Sequence, residues 1–488
     1  MPKAARGRKY YGGATVIGSS EKPYDEPPLK NVHQKDVKGL EKFDILSVPD
    51  VQAQVLETYT EIIRPQQAPG GDSSVVTLPI RGTDDFIDVH HTEVVVRIRF
   101  KSTTANDLPR NWADNQKGFR KSFVDSNMLD SLWQNVEVRI NDTDIKSHIF
   151  SYALMSHIRT LLSTDKDDQE LLKETVYFEK DTAYDMNWDP ADGDSLYDQI
   201  PSRFKRLEKM GKASHSFWVR GRIKHFLCDQ KKCIPPRQDV IFTFTKAKPE
   251  KYMNSWAAAA NIPQVIVEKM HLLVRRQKLN SKDTLRILST MNKTPAIFPL
   301  KDRVELRYHN IAQNSSVYTA DALFNGTSPT KVFVAFLKGV NFLGSYKTSS
   351  RNFEACGITS IYFEKNSKKY PSTGYTELNM HEDAFGTGSA LYAYTELKKI
   401  GNSCTPPKIL NITYEDFCNR GYTMFVFDFT GEQEMVDKGS FAKVNKAPIS
   451  LTVEFSAALP EAVNCVLYNL YDSALYIHGD GQVSNNWL

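Results

Sequence analysis

Between residues 94 and 100 the chain reads VVVRIRF, which puts Val94, Val96, Ile98 and Phe100 on one side of an extended strand and Val95, Arg97 and Arg99 on the other. Apolar residues with a period of two are the mark of strands with one buried face. The pattern recurs in VEVRIND, where Val136, Val138 and Ile140 oppose Glu137 and Arg139 and Asn141-Asp142 supplies turn chemistry. IFTFT (241–245), VELRYHN (304–310), KVFVAFL (331–337), TMFVFDF (423–429) and LTVEF (451–455) continue it, with turn clusters between them. VFVAFL and MFVFDF are apolar on both faces, which suits central strands covered from both sides.

Helical spacing is rare by comparison. SYALMSHIRTLLS (151–163) lines up Leu154, Ile158, Leu161 and Leu162 behind Ser151 as N-cap. SALYAYTELKKIG (389–401) does the same with Leu391, Tyr394, Leu397 and Lys398 and closes on Gly401. Each stretch follows a strand-rich region, so the chain reads as two halves of similar order without a repeated sequence. With 488 residues, two domains are the expectation. The strongest linker signals lie in KAKPEKYMNSWAAAANIP (246–263), with the strand pattern restarting at Gln264. The resulting reading is all-β: an arm at 1–42, one antiparallel sandwich at 43–256 and a second at 257–488. A polar stretch at 164–214 is too long for a hairpin loop and is expected to be an exposed insertion.

Charge is concentrated at one end. Residues 1–42 hold nine Lys/Arg against five acidic residues, which accounts for the whole formal net charge of +4. Lys3, Arg6, Arg8 and Lys9 make this arm a candidate for contact with phosphates or an acidic protein groove, beside the plainer reading of a solvated tail. No apolar run is long enough to span a membrane, and MPKAARGRKYYGG lacks the apolar stretch of a secretory signal, so an intracellular protein is expected. Cys228, Cys233, Cys356, Cys404, Cys418 and Cys465 are scattered and read as free thiols; Cys228 and Cys233 have a zinc-like gap but no second pair. Sequons at Asn141, Asn292, Asn314, Asn325 and Asn411 then read as chance.

Chemical signatures come close and fail. Gly339 and Gly344 have phosphate-loop spacing, but Ser345 stands where the lysine is needed, so the segment reads as a turn. Gly386 and Gly388 lack a third glycine. His90 and His91 are adjacent on a strand and are expected to point to opposite faces, unable to share a metal; HEDAF (381–385) lacks a histidine at i+4. Asp84, Asp85 and Asp88 read as turn residues, and Asp189, Asp192 and Asp194 miss the calcium-loop spacing. No catalytic residue, metal or cofactor is therefore expected. The aromatic residues lie within alternating strands, as in sheet cores, and not interleaved with cations as on a base-stacking platform.

Collinear stretches from about residue 43 to 482 carry a family resemblance. FDILSVPDVQAQVLETYTEIIRP, DDFIDVHHTEVVVRIRF, LDSLWQNVEVRINDTDI with YALMSHIRTLLS, VEKMHLLVRRQKL, ALFNGTSPTKVFVAFL, NFLGSYKTSSRNF, GYTMFVFDFT and LPEAVNCVLYNLYDSALYI together resemble the major capsid proteins of Polinton (Maverick) elements and adintoviruses. The resemblance implies a double jelly-roll of two eight-stranded sandwiches. It further implies homotrimeric, pseudo-hexagonal capsomers and an icosahedral shell around double-stranded DNA, with penton and minor capsid proteins as partners and the virion as location. The arm is the part least like the family. Two other classes stand beside this reading: an exported carbohydrate- or receptor-binding double sandwich, which would need a Trp-lined face whereas Trp112, Trp133, Trp188, Trp218, Trp256 and Trp487 are scattered, and a jelly-roll enzyme, which the His90/His91 geometry disfavours.

Overall fold

The computed structural model describes residues 54–487 except 70–73, 102–121, 146, 182–215, 256–261, 263, 325–326, 381–389, 401–407 and 432–446. Ten strands come first: β1 (Val55–Ile63), β2 (Val75–Ile80), β3 (Phe86–Lys101), β4 (Ser122–Val124), β5 (Trp133–Ile140), β6 (Thr143–Ile145), β7 (Ser216–Arg222), β8 (Val240–Lys246), β9 (Met253–Ser255) and β10 (Gln264–Leu279). Nine follow: β11 (Ala296–Ile311), β12 (Val317–Ala320), β13 (Lys331–Lys338), β14 (Ile358–Lys365), β15 (Lys368–Tyr375), β16 (Phe425–Asp428), β17 (Ile449–Phe455), β18 (Val463–Ile477) and β19 (Val483–Trp487).

Pairing sorts these strands into four main sheets, β1-β10-β3-β7 and β2-β8-β5-β6, then β11-β18-β13-β16 and β12-β17-β14-β15. β4 and β9 form a side ribbon, and β19 extends β18. Leaving those three aside and counting each set of eight in chain order, both sandwiches have sheets of order 1-8-3-6 and 2-7-4-5, antiparallel throughout. This is the jelly-roll permutation, present twice. The duplication extends to the connection after the fifth strand of each roll: helix Tyr152–Ser163 follows β6, and helix Leu391–Lys399 follows β15.

Residue chemistry explains the local structure. In β3, Val94, Val96, Ile98 and Phe100 are buried, whereas Arg97 and Arg99 are half-buried on the opposite face. β13 and β16 are buried along nearly their whole length, as expected of strands apolar on both faces. The Asn141-Asp142 turn joins β5 to β6, with Asn141 in the left-handed region at φ 52°. Ser151 caps its helix through Leu154 N–H at 3.4 Å, and Leu154, Ile158, Leu161 and Leu162 are all buried. Within the cores Trp133 packs edge-on against Phe244, with ring centroids 5.1 Å apart, and Phe336 against Phe455 at 6.5 Å.

Several sequence expectations need correction. β10 lies between β1 and β3, so strand pairing places 264–279 with the first sandwich, and the crossing to the second falls at helix Ser281–Met291 instead of residue 257. The linker-like composition before Gln264 marks the entry to a sandwich's last strand. The stretch beginning at 164 is not simply an exposed insertion: Lys166–Thr175 is a helix with an Asp165/Asp168 capping box, and Val176, Tyr177 and Phe178 are buried in the core. Residues 182–215 lie outside the described residues, as does the arm at 1–42. In helix Leu391–Lys399 the buried residues are Ala393 and Leu397, while Leu391 is exposed.

Candidate functional site

The residues singled out for chemistry are spread over the molecule. Asp84 pairs with Arg237 at the surface, and Asp85 accepts a hydrogen bond from the Tyr59 hydroxyl at 2.8 Å. Asp88, expected in a turn, is buried inside β3, where its carboxylate holds His91 Nδ1 at 2.7 Å. Between Asp88 and Glu93 β3 gains residues relative to β10, and alternation fails there. The rings of His90 and His91 consequently lie 5.0 Å apart, edge to face, contrary to the opposite-faces expectation. Their nitrogens serve different partners, His90 Nδ1 lying 3.1 Å from the Cys228 carbonyl. Gly339 opens a single helical turn and donates its N–H to the Ala462 carbonyl at 2.9 Å. Burial raises the Cys228 and Cys465 thiols and pushes Cys233 up to about 11. Lys3, Arg6, Arg8 and Lys9, together with Cys404, HEDAF, Gly386, Gly388, Asp189, Asp192 and Asp194, lie outside the described residues.

Polar chemistry is concentrated where the two sandwiches meet. Arg351, which precedes β14, donates through Nη1 to the Ser126 carbonyl and through Nη2 to the Ser131 hydroxyl, both in the first sandwich. Its Nε lies 3.7 Å from Asp125 Oδ2. Beside it, His157 is buried between Phe178 and Phe353, with neither ring nitrogen hydrogen-bonded among the described residues. Burial, reinforced by the Arg351 charge, holds this imidazole well below its ordinary pKa, so it is neutral. Asp130 sits one turn away under Lys224 at 3.0 Å and accepts from Asn127 at 2.7 Å and from Ser156. Although burial alone would raise it, Lys224 and these donors hold the carboxyl below its usual value.

The same seam continues on either side of this cluster. Arg159 pairs with Asp229 next to Tyr468 of β18, and the Arg303 guanidinium of β11 stacks over Phe226 at 4.9 Å. His225, pushed down to about 3 by burial and by the Arg303 charge, lies under that stack. Farther along, Lys180 pairs with Asp416, Lys408 pairs with Asp168, and Asn411 donates to Gln169 at 2.6 Å. The Tyr422 hydroxyl donates to the Asp181 carbonyl at 3.0 Å. Buried charges tolerate almost no displacement because each loses its partner's compensation, so the seam locks the sandwiches in one relative position. Sequence reading missed it, since Arg351, Asp125, Asp130 and Lys224 occur in polar segments indistinguishable from surface loops.

Two equivalent sheet faces are treated differently. The outer face of β11-β18-β13-β16 carries Leu306, Tyr468 and Phe333, all buried, with His148 and Ile149 of the first sandwich against Leu306 and Arg159 and Asp229 beside Tyr468. The outer face of β1-β10-β3-β7 carries Arg97, Arg99, Arg220, Arg222, Glu93, Glu268 and His271 around Trp218, which is 48% exposed. Arg97 lies over the Trp218 ring at 5.8 Å, and His271 meets it edge-on at 6.0 Å.

Two eight-stranded jelly-rolls joined by a buried polar seam define a double jelly-roll protein. No family model matches the chain. Uncharacterized protein F54H12.2 of Caenorhabditis elegans is 23% identical over 155 residues, 31% of this chain; the chain spans only 35% of that relative's length. Among solved structures, a chain of the Sputnik virophage, determined by cryo-EM at 3.5 Å resolution, superposes with a TM-score of 0.57 at 10% identity, covering 97% of this chain and 94% of that one. The mavirus major capsid protein gives a TM-score of 0.49 at 10% identity, with 97% of each chain covered. At such identities the likeness is one of fold.

Proposed function

We propose that this chain is a structural shell subunit: the major capsid protein of a double-stranded DNA virus or of an integrated, Polinton-like element. The observation that carries the reading is one strand permutation occurring twice, fixed as one block by the buried seam around Arg351 and Asp125. A tile needs that rigidity because its edges must meet identical neighbours at fixed angles. The shared architecture with a virophage chain over 97% of the length supports the assignment, as does the collinear resemblance to Polinton capsid proteins. A matching stretch in a nematode protein fits an element carried in an animal genome. The near-neutral chain beyond the arm also suits tiling, since dense packing of like-charged copies is self-repelling.

In this reading three chains form a capsomer with six sandwiches around its axis, and capsomers assemble with penton and minor capsid proteins into an icosahedral shell. Lys3, Arg6, Arg8 and Lys9 face genome phosphates or an acidic protein groove beneath that shell. The work is done by surfaces, with no catalytic residue and no cofactor. The test is to express the full chain alone and with its penton partner, then measure particle mass by light scattering and image by negative stain. Trimers, and shells on co-expression, are expected. Monodisperse monomers that bind glycans would overturn the reading in favour of a lectin-like double sandwich.

A further inference from the structure

The two jelly-rolls present equivalent outer faces, yet only one is covered. Tyr468 and Phe333, on the outer face of β11-β18-β13-β16, pack edge-on at 5.8 Å and are buried. The cover comes from the first sandwich: Arg159 on helix Tyr152–Ser163, and Asp229 and Phe226 on helix Phe226–Asp229. The corresponding face of β1-β10-β3-β7 has no such cover among the described residues. Trp218 stands half-exposed on the edge strand β7 beside Arg97 of β3, and Ile62 on the opposite edge strand β1 is 59% exposed. Trp and Arg are among the residues that most often dominate protein interfaces.

The second sandwich owns the matching part. Its helix Leu391–Lys399 stands where helix Tyr152–Ser163 stands in the first, after the fifth strand of the roll. Within the chain that helix packs inward on helix Tyr414–Asn419 through Tyr394, whose ring lies 5.3 Å from Tyr414 and 5.9 Å from Phe417. Its Leu391 and Tyr392 remain 43% and 44% exposed. This edge is continuous with the seam, because the segment leading into helix Tyr414–Asn419 is pinned to the first sandwich by Lys408–Asp168 and Asn411–Gln169. Each chain thus presents, among the described residues, a sheet face without such cover at one site and a helix with a part-exposed Leu391/Tyr392 edge at another.

We propose that the outer face of β1-β10-β3-β7, at its Trp218 and Arg97 side, docks a second copy of this chain through the Leu391/Tyr392 edge of its second sandwich, repeating between chains the contact that joins the sandwiches within one. The two surfaces differ, so the contact is heterologous and must close into a ring or run on as a filament. The proposal rests on the shell-subunit reading and specifies which surfaces that reading uses.

The test uses the full-length protein. Trp218→Ala is expected to raise the concentration needed for assembly at least thirtyfold, with far-UV circular dichroism and Tm unchanged. Trp218→Cys with Tyr392→Cys, two substitutions at exposed positions, is expected to give bismaleimide-linked ladders that end at the ring size; each single variant and the wild-type chain serve as controls. Assembly that persists in the first variant with no ladder in the second would overturn this docking while leaving the shell-subunit reading standing. A wild-type chain that stays monomeric at all concentrations would overturn both.

Discussion

Arg351 and Asp125 meet across the junction of the two jelly-rolls, Nε to Oδ2 at 3.7 Å, with both side chains only 4% exposed. The guanidinium also serves the Ser126 carbonyl and the Ser131 hydroxyl, so one side chain of the second sandwich satisfies three groups of the first. Arg351→Met strands a buried carboxylate and is expected to cost about 3–5 kcal/mol in urea unfolding. Arg351→Met with Asp125→Leu removes both charges and should recover more than half of that loss. Equal stability of the single variant and the wild type would show that the pair does not hold the seam.

Acid should loosen the same junction. His225 is neutral in the fold with its pKa pushed to about 3, against an ordinary value near 6.5 when unfolded. As pH falls below 6.5 the unfolded chain takes up the proton first, so stability present above that pH is lost progressively toward pH 3. Between pH 6.5 and 4.5 this residue alone accounts for a loss of about 2 kcal/mol, and His157 acts in the same direction. His225→Asn, which keeps an acceptor for the Leu227 N–H at the helix start, should flatten the dependence of the urea midpoint on pH. Parallel slopes for variant and wild type would refute it.

A second tie is local in origin and long-range in effect. Asn141 holds the left-handed turn position between β5 and β6, and its side chain donates to the Gly481 carbonyl at 2.8 Å and to Gln238 at 2.7 Å. It also accepts from Asp239 N–H at 2.9 Å. Asn141→Gly preserves the backbone preference and removes these bonds, for an expected cost of about 1–3 kcal/mol. Asn141→Ala should cost about 1 kcal/mol more, because alanine resists positive φ. The comparison is made by thermal unfolding, and an alanine variant as stable as the glycine variant would contradict it.

The strands were legible because burial on one face imposes a period of two, as Val94, Val96, Ile98 and Phe100 show. Continuous apolar runs in β13 and β16 likewise announced sheets covered on both sides. The division between sandwiches was misread since β10 returns to the first sheet after a linker-like stretch, and a jelly-roll's last strand pairs with its first and third without any local signal. Leu391 was assigned to a core stripe on helical spacing alone, yet it is exposed. The seam was invisible for a related reason: Asp130 and Lys224 look like loop residues until the fold brings them within 3.0 Å.

The most direct measurement of the central claim is cryo-EM of the purified full-length protein, counting sandwiches around each particle's axis. Class averages with six sandwiches, contributed by three chains in a closed ring, are the predicted result. Particles holding a single chain with its two sandwiches, unchanged as concentration rises, would contradict it.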